Sequence, residues 1–156
     1  MFTLLLLIHV ISVMVWFGGA FYERFYILPN LKKARGTELE MEYAKMILAT
    51  ENMFKIATVG VLLTGILMTI AAGYGFFELT WLGVKQMIAS VMLLFFIIYI
   101  VPRMNKYKVA MKPSNEEGDL LSPEGRTYLF KFYTGLDVVH VGVLVNAVLA
   151  LWKPFF

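Results

Sequence analysis

The chain of 156 residues has no cysteine, only two histidines and few charges, and each shortage narrows what it can do. Without cysteine there is no disulfide framework, no thiolate metal site, no iron–sulfur cluster and no covalent haem attachment through a C-x-x-C-H motif. Any metal chemistry falls to His, Met, Lys, Tyr or carboxylate. Charged residues make up 16% of the chain against 60% hydrophobic, and the mean hydropathy is +0.72. A soluble domain of this length has no core large enough for so much apolar side chain, so the composition is that of an integral membrane protein. The net charge of +3 is too small for a nucleic-acid footprint, which argues for no nucleic-acid partner, and reads instead as topology information.

Four apolar runs reach the ~20 residues that a helix needs to cross the hydrocarbon layer, at about 3–26, 54–74, 79–101 and 127–152. They are continuously apolar instead of alternating, which excludes a closed barrel. The expected fold is all-α: an integral membrane four-helix bundle forming one transmembrane domain over 1–156, with no internal repeat and no low-complexity tract. The first run has no basic segment before it and no small-residue cleavage pattern after it, so it reads as a retained span. Lys and Arg gather between spans one and two, from Arg24 to Lys55, and from Arg103 to Lys131 between three and four, while Gly73 to Thr80 carries none. The positive-inside rule then puts both termini outside, in a multi-pass protein of the inner (cytoplasmic) membrane.

The connecting segments carry signals of their own. Thr37-Glu38-Leu39-Glu40 has the pattern of a capping box, which predicts an amphipathic cytoplasmic helix through Met41, Ala44, Ile47 and Leu48 leading into span two. Pro102 is expected to close span three, and the polar stretch from Lys112 to Asp119 to form a mobile loop. Ser122-Pro123-Glu124 reads as an N-cap, a first-turn proline and an acidic residue suited to the helix dipole, opening span four.

Both histidines lie inside apolar spans, where an ionisable side chain is expensive and is a functional candidate by default. At ~1.5 Å per residue, His9 lies ~11 Å, His140 ~18 Å and Lys85 ~6 Å below the outer ends of their spans, so the three are expected to gather in the outer half of the bundle. Asp137 precedes His140 by one helical turn, placed to orient the imidazole or carry protons. Plainer roles exist for each, since a membrane histidine also hydrogen-bonds across helices as packing glue and a lysine near a span end snorkels outward.

A pair of histidines on facing helices suits haem b, whose iron takes axial imidazoles and whose macrocycle needs small residues where it lies against a helix. Gly135 and Gly142 on span four, and Gly65 with Thr58, Leu62 and Thr69 on span two, offer such a strip, and Trp16 joins the candidate cofactor contacts. Small residues also let any membrane helices approach closely. Copper is the alternative metal, with Met14, Met68, Met87 and Met92 as soft donors beside His9, although methionines serve as gap fillers in apolar interiors as well.

The run His9-Val-Ile-Ser-Val-Met-Val-Trp16-Phe17-Gly18-Gly19-Ala20-Phe21-Tyr22 resembles the first helix of the HemJ-type membrane protoporphyrinogen oxidases, a His followed by W-[FM]-A-G-L-F-Y. Trp81-Leu82-Gly83-Val84-Lys85 is similar to that family's W-L-x-x-K, and Lys153-Pro154-Phe155 to its K-P-F ending. The resemblance implies haem-linked roles for His9 and Lys85. It does not extend to the family's second histidine, where this chain reads Tyr26-Ile27-Leu28-Pro29-Asn30, or to its Tyr-His pair, replaced by Phe95-Phe96-Ile97-Ile98. The same H-x6-W-x-G-G pattern with a following Leu-Pro is also similar to the CopD-like copper-resistance membrane proteins.

These readings combine into a membrane b-type haem-binding redox protein with haem between helices one and four, His9 and His140 as axial ligands, and Trp16, Gly65, Thr69, Gly135 and Gly142 around the macrocycle. Lys85 would neutralise a propionate or a substrate carboxylate, and Asp137 would tune His140 or move protons. The alternatives are a HemJ-type oxidase and a CopD-like copper-handling or structural protein. The bilayer is the expected surrounding partner, a quinone or porphyrin the expected substrate, and a homodimer one assembly the chain allows.

Overall fold

A computed structural model describes residues 1–111 and 120–153, so the polar stretch from Lys112 to Asp119 and the Pro154-Phe155 ending lie outside the described residues. Among the described residues every regular element is helical: α1 Phe2–Tyr22, α2 Leu28–Lys33, α3 Glu38–Ala49, α4 Glu51–Ala71, α5 Trp81–Phe95, α6 Val101–Ala110 and α7 Pro123–Trp152. A π-helical turn, Glu23–Ile27, joins α1 to α2, and a second, Phe96–Ile100, joins α5 to α6. Four continuous helical runs result, Phe2–Lys33, Glu38–Ala71, Trp81–Ala110 and Pro123–Trp152, each long and apolar enough to cross a membrane. Their outward residues include Leu4, Ile11, Met14, Ile56, Val91, Ile98 and Val141, a surface that suits lipid and not water.

The chain divides into two compact units. In the first, residues 1–74 with 120–121, α1 packs antiparallel on α4. The face that α1 turns inward is His9, Ser12, Val13, Trp16, Gly19, Ala20 and Glu23, while Val10, Ile11, Met14, Val15 and Gly18 face out. This spacing of three and four is one stripe of a helix. The H-x6-W-x-G-G pattern is therefore chiefly a packing face: a Cβ on Gly19 would lie 2.6 Å from Met53 Cε and 3.1 Å from Phe54 Cζ, whereas Gly18 meets nothing within 4 Å. The amphipathic helix is α3, burying Glu40, Met41, Ala44 and Ile47, and only Thr50 separates it from α4.

The second unit, residues 75–111 with 122–153, pairs α5 and α6 with α7. Here Met92 fills the space beside Gly142, and Tyr99 and Ile100 fill that beside Gly135. The N-terminus of α7 is built as its sequence predicts: Ser122 Oγ accepts from Gly125 N at 3.0 Å, with Pro123 in the first turn.

Three expectations are corrected. Pro102 does not end span three, because the preceding π-turn changes the geometry around its ring. Proline clashes with the carbonyl four residues earlier in an α-helix, and the wider i→i+5 turn, in which Val101 N bonds Phe96 O, takes up that misfit so the helix runs on to Ala110. The capping box is also rearranged. Gly36, in the left-handed region at φ +80°, turns its N–H to the Glu40 carboxylate at 2.8 Å, and Thr37 Oγ1 donates to Ala34 O at 2.6 Å instead of accepting from the helix.

Third, a repeat is present. Tyr-Ile-[Leu/Val]-Pro-x-[Leu/Met]-x-Lys occurs at 26–33 and again at 99–106. Both copies have a π-turn ending two residues before the proline, and both tyrosines stack on an aromatic residue one turn earlier, Tyr22 with Tyr26 at 5.1 Å and Phe95 with Tyr99 at 4.9 Å. In both, the side chain after the proline donates to the tyrosine carbonyl at 2.8 Å, Asn30 to Tyr26 and Arg103 to Tyr99. The two prolines have one local solution.

Candidate functional site

The polar heart of the first unit is a contact between α1 and α4. His9 Nδ1 lies 2.9 Å from Thr64 Oγ1, and that hydroxyl is itself 2.5 Å from Gly60 O on the preceding turn of α4. A carbonyl can only accept, so the hydroxyl proton belongs to the Thr64–Gly60 bond and Oγ1 is left as an acceptor. The imidazole must then donate through Nδ1–H. In its neutral form His9 is therefore the tautomer whose lone pair is on Nε2, the arrangement that a metal ligand or a proton acceptor requires.

Small residues make that contact close. Ser12, one turn along from His9, packs onto Gly60, where no larger residue would fit, and a Cβ on Gly65 would stand 3.7 Å from His9 Cε1. Thr64 is 4% exposed and His9 half-buried. A second polar rung lies ~21 Å further along α1, where Thr50 Oγ1 donates to Glu23, a carboxylate that is 3% exposed within the π-turn.

The candidate residues divide between the units. His9, Trp16, Gly65 and Thr69 belong to the first; Trp16 lies two turns along the same face of α1 as His9, and Thr69 Oγ1 donates to Gly65 O at 3.0 Å inside its own helix. Lys85, Gly135, Asp137, His140 and Gly142 belong to the second. There Gly142 would set a Cβ 2.6 Å from Met92 Sδ, and at Gly135 a Cβ would meet the Tyr99 ring at 2.8 Å and Ile100 closer still. The space beside both glycines is taken by side chains of α5 and the π-turn, so their place in this fold is close helix packing and not a cradle. His140 Nε2 is shielded from solvent, and Asp137 lies a turn before it, half-buried.

Lys85 stands apart from His140. Counting from the Met92–Gly142 contact, Lys85 lies toward the start of α5 and His140 toward the start of α7, roughly 13 Å apart along the axis. The expected gathering of Lys85 with His140 at one height is not what this pair forms. Lys85 instead shares the Trp81 indole with Lys153, their ammonium groups 5.6 and 5.4 Å from its centroid.

Three site residues escaped the sequence reading. Thr64 and Ser12 look like ordinary small polar residues until the helical register of α1 on α4 is known; the four-residue spacing of Gly60 and Thr64 was the available signal. Asn146, one turn beyond Gly142, has a buried Oδ1 with no hydrogen-bond partner among the described residues. No group of three or more His, Cys, Asp or Glu able to hold a metal ion occurs among the described residues.

The fold and the histidine contact define a class: a helical integral membrane protein of four spans with a polar site inside its first helical pair. The chain belongs to the family described as "Predicted integral membrane protein (DUF2269)", whose model matches residues 3–154. No curated protein and no solved structure matches the chain. The family description agrees with the membrane class and names no activity.

Proposed function

We propose that this protein binds haem b through His9 and works as a membrane redox protein. The observation that carries the reading is the Thr64 hydroxyl, committed to Gly60 O and so holding His9 as the tautomer with its lone pair on Nε2. Orienting a ligand imidazole through its other nitrogen is the usual task of a residue behind a metal ligand, and losing it typically costs 10–100-fold in affinity.

The donor set favours haem over a bare ion. Haem brings four nitrogens of its own and asks the protein for one or two imidazoles, whereas copper would need several side-chain donors at one point. When bound, haem supplies one-electron chemistry. This chain's part is to hold Nε2 in position, to keep the imidazole between apolar helices, and to set basicity through Thr64.

Lys85 and Lys153 about Trp81 favour an electron donor that carries carboxylates, as a porphyrinogen does and a quinone does not. That choice also follows the resemblance of Trp81 to Lys85 to the HemJ-type pattern. Lys85→Met is expected to raise KM for a carboxylate-bearing donor and to leave a quinol donor unaffected; equal effects on both would remove Lys85 from substrate binding. For haem itself, the purified protein is expected to take up about one haem per chain and His9→Ala none. Stoichiometric copper with no haem absorbance would overturn the reading in favour of a copper-handling protein.

A further inference from the structure

At the basic end of the second unit, a cleft of about 250 Å³ opens between α6 and α7, lined by Pro102, Arg103, Lys106, Tyr128 and Lys131. Among the described residues that line it, three are cations and none is a carboxylate. The register that pairs Met92 with Gly142 and Ile100 with Gly135 continues here, setting Arg103 against Lys131 and Lys106 against Tyr128. Like charges facing one another across a helix pair repel, and an anion between them removes that cost.

The cations are also held in place. Arg103 Nη1 donates to Tyr99 O at 2.8 Å, and its guanidinium carbon lies 3.2 Å from the centre of the Tyr99 ring, which stacks on Phe95. Lys106 Nζ lies 5.7 Å from the centre of the Tyr128 ring. One guanidinium N–H is committed, and the remaining ones form the planar fork that suits phosphate oxygens.

We propose that this cleft binds a phosphate anion, supplied by the headgroup of an anionic membrane lipid. The cleft stands where the apolar run of the helix gives way to Arg103 and Lys106, the height at which headgroups lie in a bilayer. The preceding turns of the same helix expose Ile97, Ile98 and Val101, with Ile98 71% exposed, apolar surface that acyl chains can cover and that a free anion would not use. Basic pockets between membrane helices on the positively charged side are suited to lipid phosphates, each cation contributing ~1 kcal/mol. The site is independent of the haem reading and lies in a different unit from His9.

The test uses the full chain in mild detergent, with bound phospholipid counted by native mass spectrometry after exposure to phosphatidylcholine vesicles with and without phosphatidylglycerol. Phosphatidylglycerol is expected to be retained in preference to phosphatidylcholine, and Arg103→Gln and Lys131→Gln to lower its retention about fivefold each. Lys131 is exposed, so its variant keeps the test alive if the Arg103 variant fails to fold. Lys33→Gln, an exposed lysine of the other unit, should change nothing; a loss equal to that of Lys131→Gln would reduce the effect to bulk charge and overturn the site. Equal retention of the two lipids overturns it as well. Thermal protection by inorganic phosphate that matches protection by phosphatidylglycerol would show the ligand to be a free anion and remove the lipid.

Discussion

The two helical pairs share a local device and differ in what their interiors hold. Each carries an aromatic stack, a π-turn, a proline and a side chain that donates to the carbonyl of the π-turn tyrosine. Yet the first closes its helices over polar contacts, His9 with Thr64 and Glu23 with Thr50, and the second closes over glycines filled by Met92, Tyr99 and Ile100. In the numbering of the repeat, His9 falls at Leu82 and Ser12 at Lys85. A backbone solution that recurs is thus compatible with unlike chemistry, even inside the π-turn: the first begins with Glu23, bonded to Thr50, where the second begins with Phe96.

The largest contrast between the pairs should come from their histidines. His9→Ala is expected to abolish haem uptake, while His140→Ala, in the other pair, is expected to leave it near one haem per chain; absorption titration of both variants reads this directly. Loss of haem from both variants would contradict a site confined to the first pair. Thr64→Val, which removes the acceptor for Nδ1–H and little volume, is expected to lower haem affinity about 10–100-fold, and Thr64→Ser to retain most of it. If valine is harmless, the hydroxyl is packing and not positioning.

Smaller effects probe the packing. Gly135→Ala forces a methyl group into the Tyr99 ring and Ile100 and should destabilise by about 1–3 kcal/mol, whereas Gly18→Ala meets open space and should not destabilise. Unfolding in mixed detergent micelles measures both, and equal losses would contradict the assignment of the two glycines to packed and open faces. Pro29→Ala and Pro102→Ala are expected to have the smallest effects, each about 0.4–1 kcal/mol and alike, since both prolines are accommodated by the same turn. A large difference between them would break the equivalence of the repeat.

Much of this organisation is legible in the sequence, and the misses have physical causes. Long apolar runs mark the four spans, and Ser122-Pro123-Glu124 marks the start of α7, because helix length and capping depend on neighbouring residues alone. Pro102 misleads, since whether proline stops a helix depends on the π-turn before it, a backbone choice that residue type does not encode. Gly135 and Gly142 mislead for another reason. A glycine stripe shows that something approaches closely without showing what, and here it is Met92, Tyr99 and Ile100. His9 stands out as a rare ionisable residue in an apolar span, but Thr64 becomes its partner only once α1 and α4 are in register. Four π-turn features recur in the repeat, yet only a few residues of each copy are identical, too few to announce it from the string.

The proposed role of Thr64 is to hold His9 ready to ligate haem. The most direct measurement is the visible spectrum, oxidised and reduced, of the detergent-solubilised protein titrated with haem, beside His9→Ala and Thr64→Val. A Soret band is expected that saturates near one haem per chain in the wild type, is weakened for Thr64→Val and is absent for His9→Ala. A wild-type spectrum that matches free haem throughout, or a band that survives in His9→Ala unchanged, would contradict it.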